Sequence, residues 1–201
     1  MKRESIHQIK GTTMRTPLRI VTGTALCILA VSGCSSPKPK AIDTTSLVDK
    51  GVQEAVTTLE GMNADLTIAT QPDIDLKGPS AQHWFVKAVE PKTEILPGGA
   101  ITLDLVSSFD RAVRYCGVGD VEDKGATLII DMAGKKLGSG DLTYADEKCL
   151  LTHLKAPASV TEKMNATRAL DGRRDGQWDG ITAEWSYHPD NGLDVILTLD
   201  N

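Results

Sequence analysis

Residues 181–199 read ITAEWSYHPDNGLDVILTL, and this stretch decides the fold class. Apolar and polar residues alternate on both sides of Asn191-Gly192, and Trp185 and Tyr187 share their parity with Ile181. Strict alternation is typical of a strand with one buried face, and Asn-Gly next to such runs indicates a tight hairpin turn. The stretch therefore predicts an antiparallel hairpin in which Trp185 and Tyr187 belong to the core.

The same period of two recurs through most of the chain that precedes this hairpin. Further strands are predicted at residues 66–68, 84–88, 101–105, 112–116, 126–132, 142–144 and 148–155. Short strands with one-sided burial favour antiparallel sheets over a parallel α/β sheet. We therefore predict a mainly β fold, an antiparallel β-sandwich (immunoglobulin-like or related) of about seven to nine strands.

Two helices are expected beside the strands. Over residues 46–60 the apolar side chains recur on one helical face, which predicts an N-terminal helix. Ser159-Val160-Thr161-Glu162 matches a capping box, in which the serine and glutamate side chains satisfy free amides at the start of a helix. This motif predicts one short inserted helix that continues to about Leu170.

The N-terminal segment has the pattern of an export signal. Basic residues at Arg15 and Arg19 precede an apolar run that ends in Val31-Ser32-Gly33-Cys34, and a polar, proline-containing segment follows. This order resembles the lipobox signal peptide of bacterial lipoprotein precursors. The resemblance implies that the Cys34 thiol carries acyl chains such as palmitate and that the chain is cut just before Cys34. The apolar run is shorter than the roughly 20 residues of a bilayer-spanning helix, so no transmembrane anchor is expected.

The resemblance also implies a domain organisation and a location. It predicts a signal peptide at residues 1–33, with Met14 as an alternative start, then a flexible tether at residues 34–45 and a single domain at residues 46–201. The mature protein is expected to be exported and held at a membrane by its acyl chains. Position 35 is Ser rather than Asp, which favours the periplasmic face of the outer membrane in a two-membrane envelope. In a single-membrane envelope the expected place is the outer face of the cytoplasmic membrane.

Charge and cysteine content narrow the function classes. Without residues 1–33 the 22 basic residues fall to 17 and the 27 acidic residues fall to 26, so the net charge becomes −9. A chain this acidic is not expected to bind nucleic acid. Cys116 and Cys149 are the two cysteines beyond Cys34. Because an exported protein enters a compartment that permits disulfides, these two are predicted to pair.

No catalytic or metal-binding motif is found in the sequence. His83, His153 and His188 share no metal-ligand spacing, and no nucleophile elbow is present. We therefore predict no catalytic residue, no metal and no cofactor. The run from Asp171 to Gly180 holds three Asp-Gly pairs, which are interpreted as tight turns, with a calcium or small-ligand site as the alternative.

Function is expected to reside in a binding surface. Trp178 is predicted to be exposed and to form this surface with Asp175 and Asp179. The preferred hypothesis is a lipid-anchored, non-enzymatic adaptor for another envelope component, either an envelope protein or peptidoglycan. The alternative is an envelope hydrolase whose site forms only in three dimensions, in a pocket that combines a buried carboxylate with at least two histidines.

Overall fold

The computed structural model describes residues 40–69, 75–76 and 78–200, which are mainly β, with three sheets and four α-helices. The strands are β1 (Ile42–Asp43), β2 (Asp65–Ile68), β3 (Trp84–Glu90), β4 (Glu94–Ile95), β5 (Ala100–Ser107), β6 (Asp120–Glu122), β7 (Thr127–Asp131), β8 (Arg174–Trp178), β9 (Ile181–His188) and β10 (Gly192–Leu199). The helices are α1 (Val52–Glu60), α2 (Ser108–Cys116), α3 (Tyr144–His153) and α4 (Ala158–Asn165).

The predicted hairpin is confirmed as β9 and β10, which lie inside a five-stranded sheet. The strand order is β6-β7-β10-β9-β8, and all neighbouring strands are antiparallel. Trp185 lies opposite Val195, and both are buried. Gly192 has a φ of +97°, and a Cβ there would collide with the carbonyl oxygen of Met132, so the turn requires glycine. The core prediction is wrong for Tyr187, which is 38% exposed because it lies next to the end of the hairpin.

A second sheet has three strands in the order β2-β5-β3. β5 is antiparallel to β3 but parallel to β2, so the prediction of an entirely antiparallel fold is wrong for this pair. Parallel neighbours need a crossover of about a dozen residues or more. The chain between β2 and β5 is long enough for this and contains β3 and β4 on the way.

The folded part of the chain begins earlier than predicted. β1 pairs with β4 as a separate two-stranded sheet, and a short 3₁₀ helix, Thr44–Leu47, follows it. The Thr44 hydroxyl lies within hydrogen-bonding distance of the carbonyl oxygens of Pro91 (2.6 Å) and Thr93 (2.8 Å), and the residue is fully buried. The predicted tether at residues 34–45 therefore includes residues that are part of the fold from Ile42 onward.

Two segments predicted to be strands are helices. Residues 112–116 lie in α2, and most of residues 148–155 lie in α3. Of residues 142–144, Leu142 makes only an isolated bridge, and Tyr144 begins α3. Each segment is short, and a short apolar run does not by itself separate a strand from a helix.

Both of these helices begin with a reciprocal capping box. The Ser107 hydroxyl accepts from the Asp110 N–H at 3.1 Å, and the Asp110 carboxylate accepts from the Ser107 N–H at 3.4 Å. Thr143 and Asp146 make the same exchange at 3.3 and 2.8 Å. These bonds satisfy amides that a helix start leaves free, which favours the helix over a strand at both places.

The two helices that were predicted exist, with shorter bounds. The N-terminal helix predicted at residues 46–60 is confirmed over α1, which begins after Gly51. The inserted helix is confirmed as α4, but it ends at Asn165, more than one turn earlier than predicted. Its N-cap is Pro157 and not Ser159, so the predicted capping box does not form.

One hydrophobic core joins these elements. Its largest fully buried side chains come from both larger sheets, from the 3₁₀ helix and from all four α-helices: Trp84, Trp185, Phe109, Leu47, Leu59, Ile101, Leu103, Leu128, Ile130, Leu150, Met164 and Ile181. α3 and α4 therefore have apolar faces toward the core, and this positions the pocket that lies between them. In the described part of the chain, no helix combines the length and the apolar character needed to cross a bilayer.

Candidate functional site

Trp178, the aromatic residue of the predicted binding surface, is buried in the structure. Trp178 is only 8% exposed, and its indole N–H donates to the carbonyl oxygen of Leu154 at 2.9 Å. The prediction of exposure is wrong because Trp178 ends β8 opposite Ile181 and faces the end of α3. The residue is part of the core and anchors α3 to the five-stranded sheet.

The two aspartates predicted beside Trp178 are exposed but separately placed. Asp175 lies on β8 opposite Glu184, a pairing of like charges. Asp179 is in a tight turn with a φ of +47°, and its carbonyl oxygen accepts from the side chains of Gln82 and His83. One aspartate is thus on a sheet surface, and the other shapes a turn.

In the run from Asp171 to Gly180, residues Arg174–Trp178 form β8, so the Asp175-Gly176 pair lies in a strand and not in the predicted turn. Hydrogen bonds from the side chain and amide of Arg168 hold the pKa of Asp171 below its ordinary value. No group of three or more potential metal ligands occurs among residues 40–69, 75–76 and 78–200. The described residues therefore contain no cluster of acidic side chains that would favour the calcium alternative.

The three histidines lie in different places. His83 Nδ1 is 3.1 Å from the hydroxyl oxygen of Ser108, and the His153 ring contacts Tyr115 with the ring centroids 3.9 Å apart. His188 Nδ1 accepts from the backbone N–H of Asp190 at 3.1 Å. The convergence of histidines that the hydrolase alternative required is not found.

The predicted disulfide is confirmed, whereas Cys34 lies outside the described residues. Cys116 and Cys149 are joined with a Cα–Cα distance of 6.0 Å. The bond links the last residue of α2 to the middle of α3. It closes a loop with a sequence separation of 33, for which chain entropy suggests a stabilisation of about 3–4 kcal/mol.

A concave site with a volume of about 360 Å³ lies between α3 and α4. The chain turns from one helix to the other at Lys155, whose φ is +55°. Apolar side chains of Leu151, Ala156 and Ala158 line the pocket. Its polar lining comes from Glu147, Lys148, Thr152, Thr161, Glu162 and Asn165.

Glu147 is the unusual member of this lining. It is only 3% exposed, although it is a carboxylate, and no described side chain or amide pairs with it. Burial alone raises its pKa. Glu147 has this environment because it lies on the same helical stripe as Leu150, Leu151 and Leu154, which face the core. A buried, unpartnered carboxylate in a pocket is a physical indicator of a functional site.

The neighbouring carboxylate shows the contrast. Asp146 is on the same first turn of α3, but hydrogen bonds from the side chain and amide of Thr143 lower its pKa. Asp146 therefore has a structural role at the helix start, whereas nothing in the described fold uses Glu147.

Sequence reasoning missed Glu147 because residues 148–155 were interpreted as a strand. In a strand, the alternation would place Glu147 among solvated polar residues. The signal that could have found it is Thr143-Tyr144-Ala145-Asp146, a helix-opening motif, followed by apolar residues at helical spacing from Glu147. On that helix Glu147 falls on the apolar stripe.

Two other polar features are weaker candidates. A second concavity, of about 410 Å³, lies beside Lys87 and Asp104, which form an ion pair at 3.3 Å. Burial, together with a hydrogen bond to Asp131, raises the pKa of Asp194, but both aspartates are on the exposed face of the five-stranded sheet. Neither feature contains a buried, unpartnered charge.

A comparison of the chain with models of protein families, with curated proteins and with solved structures finds no match. The pocket between α3 and α4 and the N-terminal sequence pattern are the two features of the chain that point to a function.

Proposed function

We propose that this protein is a lipid-anchored envelope lipoprotein that binds another envelope component in the pocket between α3 and α4. The observation that carries the proposal is the 3% exposed, unpartnered Glu147 in a pocket of about 360 Å³. An unpaired buried carboxylate destabilises the fold, and a ligand that pairs with it would offset this cost. The bound component is an envelope protein or peptidoglycan, and the protein acts as an adaptor without chemistry of its own.

The proposed location is based on the N-terminal pattern. Acyl chains on Cys34 would hold the protein at the periplasmic face of an outer membrane, or outside the cytoplasmic membrane of a single-membrane cell. The disulfide between Cys116 and Cys149 is consistent with an oxidising compartment. The net charge of −9 beyond residue 33 disfavours a nucleic-acid partner.

In the proposed organisation, residues 1–33 are a signal peptide that is removed from the mature protein. A short tether and one domain follow it. The fold that we propose for this domain is a sandwich-like packing of the two larger sheets, with α2, α3 and α4 around it. Support comes from the shared hydrophobic core, to which Leu103 of β5 and Leu128 of β7 both contribute.

Site-specific photo-crosslinking of the full-length protein in its envelope tests the binding function. A crosslinking residue at Thr152 or Asn165 lies at the pocket, and one at Thr198 lies on the exposed face of the five-stranded sheet as the matched control. We expect the same discrete adduct from both pocket positions and none from Thr198. No adduct at the pocket, or equal adducts at all three positions, would contradict the proposal.

Mass spectrometry of the purified protein tests the anchor separately. We expect the N-terminal peptide to begin at Cys34 and to carry acyl chains, and Cys34→Ser to abolish both the processing and the membrane association. A free thiol at Cys34 with residues 1–33 still attached would exclude the lipoprotein assignment.

One observation favours a hydrolase as the second candidate. Glu147 and Glu162 both line the pocket, and a glycosidase uses two carboxylates, of which the acid has a raised pKa. Binding is preferred because Glu162 is exposed and the histidines lie elsewhere. Release of soluble fragments from envelope glycans, lost in both Glu147→Gln and Glu162→Gln, would favour the hydrolase instead.

A further inference from the structure

We infer that the pocket between α3 and α4 is a site for a primary ammonium group on a short aliphatic chain, with the Glu147 carboxylate as its counter-ion. This inference rests on the proposed binding function and specifies its ligand class. Such a group occurs in a lysine side chain and in the aliphatic amines of envelope peptides, whereas an amino sugar carries its ammonium group on a ring carbon.

The charge of Glu147 is the first argument. A buried carboxylate is normally paired with a cation or accepts several hydrogen bonds, and this one has neither within the described residues. Lys148 and Glu162 also line the pocket, and both are exposed. The ionisable lining therefore has an excess of one negative charge, and a monovalent cation is the complement.

The shape and chemistry of the remaining lining are the second argument. An ammonium group has three donors and no acceptor. Thr152, Thr161 and Asn165 supply oxygen acceptors beside Glu147, while Leu151 and Ala158 supply apolar surface for methylene groups. A volume of about 360 Å³ is at the small end for ligand pockets and suits one side chain or one sugar unit.

The arrangement favours ammonium over guanidinium. A guanidinium group is planar and binds best to a carboxylate that offers both oxygens in a fork. Here the acceptors come from two helices on different sides of the pocket, Thr152 from α3 and Thr161 from α4. Donors in three directions fit such a lining better than a flat fork does.

Titration of the full-length protein with small probes tests this inference. The probes are n-butylammonium, n-butylguanidinium, n-butanol and butyrate. Binding calorimetry at constant ionic strength measures the affinity of each probe. We expect saturable binding of n-butylammonium at about 1–10 mM, as for a fragment of this size. Butylguanidinium should bind at least threefold more weakly, and butanol and butyrate should show no saturation. Equal or stronger binding of any of these three probes would overturn the inference.

Two variants locate the site. Glu147→Gln keeps the shape of the side chain and should weaken n-butylammonium binding at least tenfold. Glu162→Gln removes the other carboxylate of the same pocket and should weaken it by less than threefold, and Glu122→Gln, on β6, should have no effect. Unchanged binding in Glu147→Gln, or an equal loss in Glu162→Gln, would contradict the assigned counter-ion.

The pH dependence gives an independent readout. Protonation of Glu147 removes the counter-ion, so binding should fall as the pH is lowered from 7 to about 4. Tyr144, Lys148 and Glu162 are the other ionisable groups that line the pocket. The fall should persist in Glu162→Gln, and a pH-independent affinity would count against the inference.

Two further probes separate the sources of the ammonium group. A blocked tripeptide with a central lysine represents a protein partner, and glucosamine represents an amino sugar. Tighter binding of one identifies the source. If no ammonium probe binds but crosslinks from Thr152 and Asn165 persist, only the ligand class is wrong. If the crosslinks from Thr152 and Asn165 are also absent, both the ligand class and the proposed binding function are wrong.

Discussion

The hairpin of β9 and β10 and the helix pair of α3 and α4 follow opposite rules of burial. In the hairpin, every buried side chain from Ile181 to Trp185 and from Leu193 to Leu199 is apolar. In the helix pair, an ionisable residue occupies a position on the buried stripe, with Glu147 beside Leu150 and Leu151. A region whose local rules all agree is explained by folding alone. We expect function in a region where a charged side chain is buried and the described fold provides no partner for it.

The largest effect should come from the hairpin, where burial alone determines stability. Trp185→Ala should lower the free energy of unfolding by about 3–5 kcal/mol, because it leaves a cavity in the core. Trp185 is 1% exposed, and its indole N–H also donates to the Thr167 hydroxyl at 2.8 Å. Tyr187→Ala on the same strand should cost less than about 1 kcal/mol, since this ring is partly in solvent. Urea unfolding measures both, and equal losses would contradict the assignment of the buried face.

The disulfide should give the next largest effect, on the helical side of the comparison. Cys116→Ser together with Cys149→Ser should lower the free energy of unfolding by about 3–4 kcal/mol, the loop-closure term for this separation. Urea unfolding with and without a reductant measures the effect. The reductant should destabilise the unaltered protein and leave the double variant unchanged.

Glu147→Gln tests the difference in burial between the hairpin and the helix pair, because it should stabilise the protein. Replacing a buried unpaired charge by a neutral amide should raise the free energy of unfolding by about 1–2 kcal/mol at pH 7. Burial raises the pKa of Glu147 in the folded state, so folding favours its protonated form. The unaltered protein therefore loses stability relative to the variant as the pH rises through that folded pKa.

Thermal unfolding at pH 7 and at pH about 3.5 measures this difference. Below the ordinary pKa of glutamate, near 4.3, the carboxyl group is neutral in both the folded and the unfolded state, so the gain should nearly vanish. A variant that is less stable at pH 7 would mean that Glu147 supports the fold, and the functional interpretation would lose its basis.

The smallest expected effect separates a capping motif that forms from one that does not. Thr143→Ala removes a cap that accepts from the Asp146 N–H, and should cost about 0.5–1 kcal/mol. Ser159→Ala alters a motif of equal sequence quality that makes no cap, and should change stability by less than about 0.5 kcal/mol. Urea unfolding of both variants decides this, and a larger loss for Ser159→Ala would reverse the assignment.

The α3 cap should also respond to acid. Hydrogen bonds from Thr143 lower the pKa of Asp146, so the stability that this carboxylate contributes is present above its unfolded pKa. It is lost as the pH falls through the lower folded pKa. The difference in the free energy of unfolding between Thr143→Ala and the unaltered protein should therefore shrink in acid. Urea unfolding of both proteins at acidic pH measures this difference.

Local pattern predicted the elements whose signals agree. The alternation around Trp185 and the Asn191-Gly192 turn specify both strands, their register and their buried face without help from the rest of the chain. The pairing of Cys116 with Cys149 was predicted from the cysteine count together with the export that the lipobox resemblance implies, and it is confirmed. Four of the other eight strands, β2, β3, β5 and β7, were found for the same reason, whereas β1, β4, β6 and β8 were not predicted.

The helices at α2 and α3 show where local pattern fails. Both segments are short enough to be interpreted as strands, although Leu150, Leu151 and Leu154 have the spacing of a helical face, and the caps at Ser107 and Thr143 mark where the helices begin. The capping box predicted at Ser159 does not form, because the N-cap is Pro157, two residues earlier in the chain. Cap geometry depends on where the chain enters the helix, and that is set by packing.

Sequence was thus sufficient for the hairpin, the strand-rich class and the cross-linked cysteines, because each depends on residues close in sequence or on a small number of cysteines. Tertiary structure alone decided the burial of Trp178 and the isolation of Glu147. Trp178 is covered because its indole reaches the carbonyl of Leu154, 24 residues away along the chain. Burial is a property of contacts between distant segments, and so is the absence of a partner for a charge.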